Sequence, residues 1–306
     1  MNIQAELIVD ARNGVGESPV WHAREQALYW VDIPARKLCR WDAATAGMSS
    51  WEAPEMPACV ALCDSANANA SANATPSWIA GMETGVFALR PQVDGTLHSE
   101  LLAPVTHAMP GMRFNDGRCD RQGRFLAGTM LMNMAVAAPV GSVYGYDASG
   151  SLTSLLDGLI TPNGMAFSPD GQTMYLSDSH PSVQLVWAFD YDTATGTPSN
   201  RRVFVDMNSL PGRPDGAAVD ADGCYWICGN DAGLIHRFTP AGKLDYSLAV
   251  PVKKPAMCAF GGVGLDTLFV TSIRPDGIDL SDQPLAGGVF ALRPGVRGLP
   301  EPACTL

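Results

Sequence analysis

The sequence predicts an all-β fold, a six-bladed β-propeller, and three observations predict it. Six stretches can be laid over one another so that one polar position recurs, most clearly in ESPVW (17–21), NDGRC (115–119), NGMAF (163–167) and DGAAV (215–219). Each is followed by a short turn and an apolar strand: LYWVD (28–32), RFLAGT (124–129), TMYLSD (173–178) and CYWICG (224–229). The recurrence interval is roughly 40 to 60 residues, the length of one four-stranded blade. No stretch shows sustained helical periodicity.

With the recurring position as anchor, blades begin at Glu17, about Ala58, Asn115, Asn163, Asp215 and about Ala256, and a proline directly precedes the anchor at Pro57, Pro162, Pro214 and Pro255. LCRWDAATAGM (38–48), GSVYGYDASGSL (141–152) and GLIHRFTPAGKL (233–244) read as outer hairpins. SPDGQ (168–172) and DADGC (220–224) are Asp-Gly hairpin signals between alternating runs. The second repeat is degenerate. DSANANASANATPS (64–77) interrupts it, a low-complexity insertion with too little apolar content to pack a core and therefore expected to form a loop. The N-x-S/T pattern at Asn73 inside it has no meaning without secretion. Strand signals resume at SWIAGMETGVFALR (77–90). The last strand candidate, GGVFALR (287–293), lacks an inner partner downstream, and IQAELIV (3–9) is expected to supply the missing strand of that blade. Such closure removes the open edges of a linear array. Residues 1–306 thus read as a single propeller domain.

At 306 residues the chain can bury about three quarters of its unfolded surface without stapling. The net charge is −11 and no Lys/Arg cluster exceeds two or three residues, so nucleic acid and anionic membrane are poor partners. No obligate protein partner is implied. The N-terminus has no basic segment followed by an apolar run, so no signal peptide is expected. No apolar stretch approaches the length of a membrane helix, and the cytoplasm is the expected compartment. The eight cysteines include no CxxC pair and are expected to be small buried hydrophobes, with neither zinc nor disulfides. Trp21, Trp30, Trp41, Trp51, Trp187 and Trp226 mostly recur at equivalent strand positions, as inter-blade packing requires. The histidines are scattered with no HExxH spacing, and His180 reads as a surface-loop residue. A G-x-S-x-G nucleophile elbow is missing.

In a propeller the innermost strands run along the central channel and their ends converge at one mouth. Glu17, Asn163 and Asp215 would meet there, two carboxylates and an amide carbonyl with no Cys or His alongside. Such a hard-oxygen set suits one divalent cation, Ca²⁺ first, with Mg²⁺, Mn²⁺, Fe²⁺ or Zn²⁺ accepted according to supply. Three protein ligands leave positions open for water and substrate, as at a catalytic metal. Asn-Gly and Asp-Gly are also ordinary turn pairs, and a tight turn explains any one of these positions by itself. It does not explain Glu17, followed by Ser-Pro, in the same position, nor the apolar breaks at Ala58 and Ala256. Asp116 and Asp178 read as supporting or turn residues.

GESPVW (16–21), LYWVDI (28–33), RFNDGRCDRQGRFLAGTM (113–130), TPNGMAFSPDGQTMYLSDS (161–179), PDGAAVD (214–220) and CAFGG (258–262) together resemble the SMP-30/gluconolactonase/LRE-like family, in order and over roughly residues 10 to 295. That family consists of six-bladed propellers that are metal-dependent sugar lactonases. By the resemblance, Glu17, Asn163 and Asp215 correspond to metal ligands, Arg113 and Asn115 to residues that hold the sugar lactone, and Asp215 also to the general base. Some members carry a substrate-contacting carboxylate after the GTM motif, whereas this chain reads LMNM, with Asn133 nearest that place. The implied activity is hydrolysis of an aldono-1,4- or 1,5-lactone to the aldonate in oxidative sugar catabolism. Hydrolysis of another activated ester, such as an organophosphate, and a non-enzymatic metal-binding propeller remain alternatives.

Overall fold

The fold follows from six repeats of one event: an inner strand, a connection, and an apolar second strand that hydrogen-bonds back. The structure, a computed structural model, describes residues 3–64, 77–147 and 149–305. Most of the low-complexity insertion, with Asn73, therefore lies outside the described residues. From the channel outward, blade I comprises Gly16–His22, Ala27–Asp32, Lys37–Asp42 and Met48–Glu52. Blade II comprises Cys59–Asp64, Ser77–Gly81, Gly85–Pro91 and Leu97–Pro104. Blade III has Met112–Cys119, Phe125–Leu131, Gly141–Tyr146 and Leu152–Leu159, and blade IV has Pro162–Phe167, Thr173–Asp178, Leu185–Asp192 and Thr197–Asp206. Blade V has Arg213–Val219, Tyr225–Asn230, Leu234–Phe238 and Leu244–Ala249. Pro255–Gly261, Thr267–Ser272 and Val289–Leu292 belong to blade VI. Each inner strand packs against the inner strands of both neighbours, so the six close into a ring. Helix among the described residues is confined to two 3₁₀ turns, Met134–Val136 and Met207–Ser209. No described helix is long and apolar enough to cross a membrane.

The turns joining first and second strands repeat one chemistry. Gly123, Gly171 and Gly223 adopt positive φ, and an aspartate one or three residues earlier (Asp170; Asp120 and Asp220) accepts backbone N–H groups of the turn. Large aromatic residues fill the spaces between blades: Trp30, Trp78 and Trp226, each on a second strand, are wholly buried. Trp21 stacks on Phe269 across the junction of blades I and VI. Packing thus accounts for these tryptophans.

Residues Glu6–Val9 complete blade VI by pairing antiparallel with Val289–Leu292, Glu6 opposite Ala291. The expected closure holds, with one correction. The N-terminal strand lies at the outer edge and not on the inner side, because Thr267–Ser272 already occupies the inner flank of Val289–Leu292. A second closure has no counterpart among the strand signals read from the residues. Cys304–Thr305 adds to blade II as a fifth strand, parallel to Cys59–Asp64, with Cys304 opposite Cys63. The segment leading to it crosses the lower face of the ring. It bridges Asp220 at Gly298, receives the Arg121 guanidinium on the Pro300 carbonyl, and sets Glu301 3.7 Å from Arg118.

Candidate functional site

Five of the six inner strands are bulged at the recurring position. The pairing register slips between Glu17 and Val20, Phe114 and Gly117, Asn163 and Ala166, Pro214 and Ala217, and Pro255 and Cys258. Blade II, whose anchor is the apolar Ala58, pairs without a slip from Cys59 onward. A bulge re-aims the side chains around it and leaves backbone groups unpaired. In blades I, III, IV and V the bulge carries a polar side chain at the end where the inner strands begin, the upper mouth, whereas in blade VI the residue at that position is Ala256. Two residues in these bulges need the left-handed region: Ser18 at φ 52° and Gly164 at φ 60°. A Cβ on Gly164 would lie 2.6 Å from the Tyr225 hydroxyl and 3.1 Å from the Asp215 carbonyl, so only glycine lets blades IV and V approach this closely beside Asn163.

The freed backbone groups are taken up between blades. The Ser18 hydroxyl donates to the Val60 carbonyl and accepts from the Val60 N–H (3.1 and 2.8 Å), fastening blade I to II. The Asn115 amide donates to the Pro162 carbonyl at 3.0 Å, directly before Asn163. The Met165 N–H donates to Asp116 Oδ2 at 2.8 Å, and the Tyr225 hydroxyl to the Gly164 carbonyl at 2.7 Å. Below them Arg118 spans the channel to the Ala217 carbonyl at 2.7 Å, and only about 10 Å³ of space is left beside Glu301 and Pro302. That is room for about one water molecule, so the site is a cup open at the upper mouth.

Most of the expected residues come together in this cup. Asn163 and Asp215 are buried, and Glu17, Arg113 and Asn115 are partly open to the channel. Arg113 Nη1 donates to Asn115 Oδ1 at 2.9 Å and to the Phe114 carbonyl at 2.6 Å. Burial is the largest cause raising the Glu17 carboxyl well above the ordinary range, and the charges of Asp215 and Asp116 add to it. Asp215 is pushed up to about 7, first by burial; the charge of Arg213 and a hydrogen bond from Asn230 pull the other way. Burial likewise raises Asp116 and lowers Arg113. Asp116 Oδ1 is buried without a hydrogen-bond partner. Glu17 accepts one hydrogen bond, a 3.3 Å contact from the Ser18 N–H, and the Asn163 side chain has none among the described residues.

This donor set fits a divalent cation. Negative groups crowded out of water and short of donors are what an ion would relieve. Among the described residues no three His, Cys, Asp or Glu side chains converge with ligand spacing. Any ion held here would therefore draw on amide oxygen and water besides the two carboxylates of Glu17 and Asp215.

Asn133 stands apart. It follows Leu131, which pairs with Met112, so it lies at the same mouth, but its side chain is exposed and makes no hydrogen bond to the residues of the cup among those described. His180 corrects its surface-loop reading. It is buried, with Nδ1 against the Ser182 hydroxyl at 2.7 Å and Nε2 against the Met134 carbonyl at 3.2 Å, which fixes the blade III loop to blade IV. Asp178 is a brace: it accepts the N–H groups of Ile160, Thr161 and His180, as Asp32 accepts those of Gly14 and Val15 in blade I.

Asn230 is a site residue that sequence reasoning missed. It is 1% exposed, and its Nδ2 donates to Asp215 Oδ2 at 2.6 Å. Its Oδ1 lies 3.5 Å from both Arg213 and Lys254, which also pair with Asp231. Two cations beside the amide oxygen leave the NH₂ to face Asp215. An amide ending the otherwise apolar run CYWICGN was the available signal.

The family model described as the SMP-30/Gluconolactonase/LRE-like region matches residues 15–274. A 6-deoxy-6-sulfogluconolactonase of Pseudomonas putida is 36% identical over 304 residues, covering 99% of both chains. Regucalcin of Gallus gallus is 34% identical over 98% of this chain and 97% of its own. The solved structure of a calcium-binding protein, regucalcin, from Agrobacterium tumefaciens superposes with a TM-score of 0.88 at 27% identity, over 99% of this chain and 98% of that one. On these grounds the chain belongs to the SMP-30/gluconolactonase/LRE-like family.

Proposed function

We propose that this protein hydrolyses a sugar-derived lactone to the open-chain aldonate, using a divalent cation held by Glu17, Asn163 and Asp215. The observation that carries the reading is the crowding of under-paired acids in the cup: Glu17, Asp116 and Asp215 are all raised in pKa, from three different blades at one mouth. A purely structural ring would not assemble such a set. Family membership and the 36% identity to a sulfogluconolactonase point the same way.

When bound, the cation would supply Lewis-acid polarisation of the ester carbonyl and charge for the oxyanion. The remaining work falls to the chain. Arg113 and Asn115, tied to each other at 2.9 Å, form a ready-made clamp for ring oxygens. Asp215 takes the proton from the attacking water on one carboxylate oxygen, while Asn230 holds the other, Oδ2, at 2.6 Å. The bridge of Arg118 below confines reaction to one face and limits bulk water. The substrate is a neutral or modified aldonolactone, made by a preceding dehydrogenase in cytoplasmic sugar oxidation.

A panel of aldono-1,4- and 1,5-lactones, including a 6-deoxy-6-sulfogluconolactone, tests the reading on metal-stripped and re-metallated protein. At least one lactone should be opened, with activity lost on stripping and restored by a divalent ion. Full activity in metal-stripped protein, or no turnover of any lactone with any ion, contradicts it.

A further inference from the structure

The lower end of the channel carries a cluster of buried thiols, away from the residues proposed for lactone hydrolysis. All eight cysteines are buried, as their composition led one to expect, but three of them are not isolated. Cys63 is the penultimate residue of the inner strand of blade II, Cys119 ends that of blade III, and Cys304 lies on the added C-terminal strand. The Cys304 sulfur hydrogen-bonds the thiols of both Cys119 and Cys63. Cys304 and Cys63 are also register partners on adjacent strands. Strands so paired bring Cα atoms to about 5 Å, inside the window of about 4.4–6.8 Å that a disulfide requires.

The C-terminal segment that carries Cys304 is a clasp over the lower face. The Ala221 N–H donates to the Arg297 carbonyl, the Gly298 N–H to the Leu265 carbonyl, and the Thr305 N–H to the Gly123 carbonyl. Blades V, VI and III are thereby joined to blade II through a two-residue strand held at its end.

We propose that Cys63, Cys119 and Cys304 form a redox latch, in which a hydroperoxide such as hydrogen peroxide drives a disulfide between Cys304 and one of the other two and so locks the clasp covalently. The Cys304 thiolate attacks the peroxide, the O–O bond breaks, and a sulfenic acid forms as water leaves. The second thiol then attacks that sulfur, the S–S bond forms and a second water departs. Two thiols lose two electrons in all and one peroxide is reduced to two waters. The third cysteine allows the bond to move between Cys63 and Cys119 by thiol–disulfide exchange. Two thiol donors hold the Cys304 sulfur below the usual thiol range, which supports its part as attacking group.

The test uses the full chain. Protein treated with hydrogen peroxide under native conditions is alkylated in denaturant, digested without reductant and mapped by mass spectrometry. A Cys304 peptide crosslinked to the Cys63 or the Cys119 peptide is expected, reversed by dithiothreitol, with a melting temperature raised by about 5 °C or more because the closed loop is long. Cys304→Ser and Cys304→Ala should fold, keep basal lactone hydrolysis and lose both the crosslink and the melting shift. Recovery of Cys304 as alkylated thiol or as sulfinate, with no crosslink, overturns the proposal. So does a melting shift that survives in both variants. Covalent mass and melting temperature do not depend on the hydrolase reading, so the two proposals fail separately.

Discussion

The two ends of the central channel are built from the same strands and both bury acids, yet they treat those acids in opposite ways. At the lower end Asp120 and Asp220 are fully enclosed and fully satisfied. Asp120 accepts from the Gln122 and Arg124 N–H groups, the Arg124 guanidinium and the Tyr191 hydroxyl, all at 2.8–2.9 Å. Asp220 accepts from the N–H groups of Asp222 and Cys224, the Trp226 indole and Arg237 at 2.8–3.0 Å. At the upper end Asp116 has an orphaned oxygen and Glu17 a single weak donor. A buried acid with every lone pair met holds a turn together. One left short of donors costs stability and persists where an ion or a reaction uses it.

That contrast can be broken by substitution, and the largest effect belongs at the upper end. Asp215→Asn should lower turnover by about a thousandfold while the melting temperature of the metal-free protein stays constant or rises, since an uncompensated buried charge is removed. Near-normal turnover would show that Asp215 is only another turn residue. At the lower end Asp220→Asn should do the reverse. It leaves Arg237 with one buried partner fewer and is expected to cost about 3–5 kcal/mol in urea unfolding, with activity per folded molecule intact. If Asp220→Asn spared stability and abolished turnover, the division of labour between the two ends would be wrong.

Asn230→Ala comes next in size. Without its amide the Asp215 carboxylate loses its orientation, and affinity for the divalent ion should fall about 10–100-fold, read by isothermal titration. An unchanged affinity would confine Asn230 to packing. The smallest effect belongs to neither end. His236 lies within blade V between the Ser247 hydroxyl (2.7 Å) and the Pro211 carbonyl (2.9 Å), and burial lowers its pKa. A histidine held neutral by the fold costs nothing above its unfolded pKa of about 6.5. Below that pH the unfolded chain gains a proton that the folded one resists, so stability drops as pH falls. His236→Gln should flatten part of the decline in melting temperature between about pH 6.5 and 5; an identical acid slope in both proteins would dismiss this contribution.

Much of the architecture is legible in the residues because each blade repeats its own local signals. The Asp-Gly turns at 168–172 and 220–224, the prolines before the anchors and the unpaired strand at 287–293 each determine a local geometry. The upper site is legible for the same reason: Glu17, Asn115, Asn163 and Asp215 recur at one point of the repeat. Asn230 and Asp116 are less so, because their roles arise from neighbours on other blades. Asn230 meets Lys254 and Asp116 meets the Met165 N–H only once the ring has closed. The C-terminal clasp is the clearest omission. Two residues at the end of PGVRGLPEPACTL carry no strand periodicity, and only the waiting edge of Cys59–Asp64 makes a strand of them. His180 misleads for a related reason, since a polar loop residue after SDS is buried by a loop from another blade.

The most direct test of the central claim is a crystal structure of the protein soaked in Mn²⁺, with anomalous scattering used to locate the ion. A single strong peak at the upper mouth, bonded to oxygens of Glu17, Asn163 and Asp215 at about 2.1–2.4 Å, is the predicted result. Scattering elsewhere, or a cup occupied only by water at saturating Mn²⁺, would contradict it.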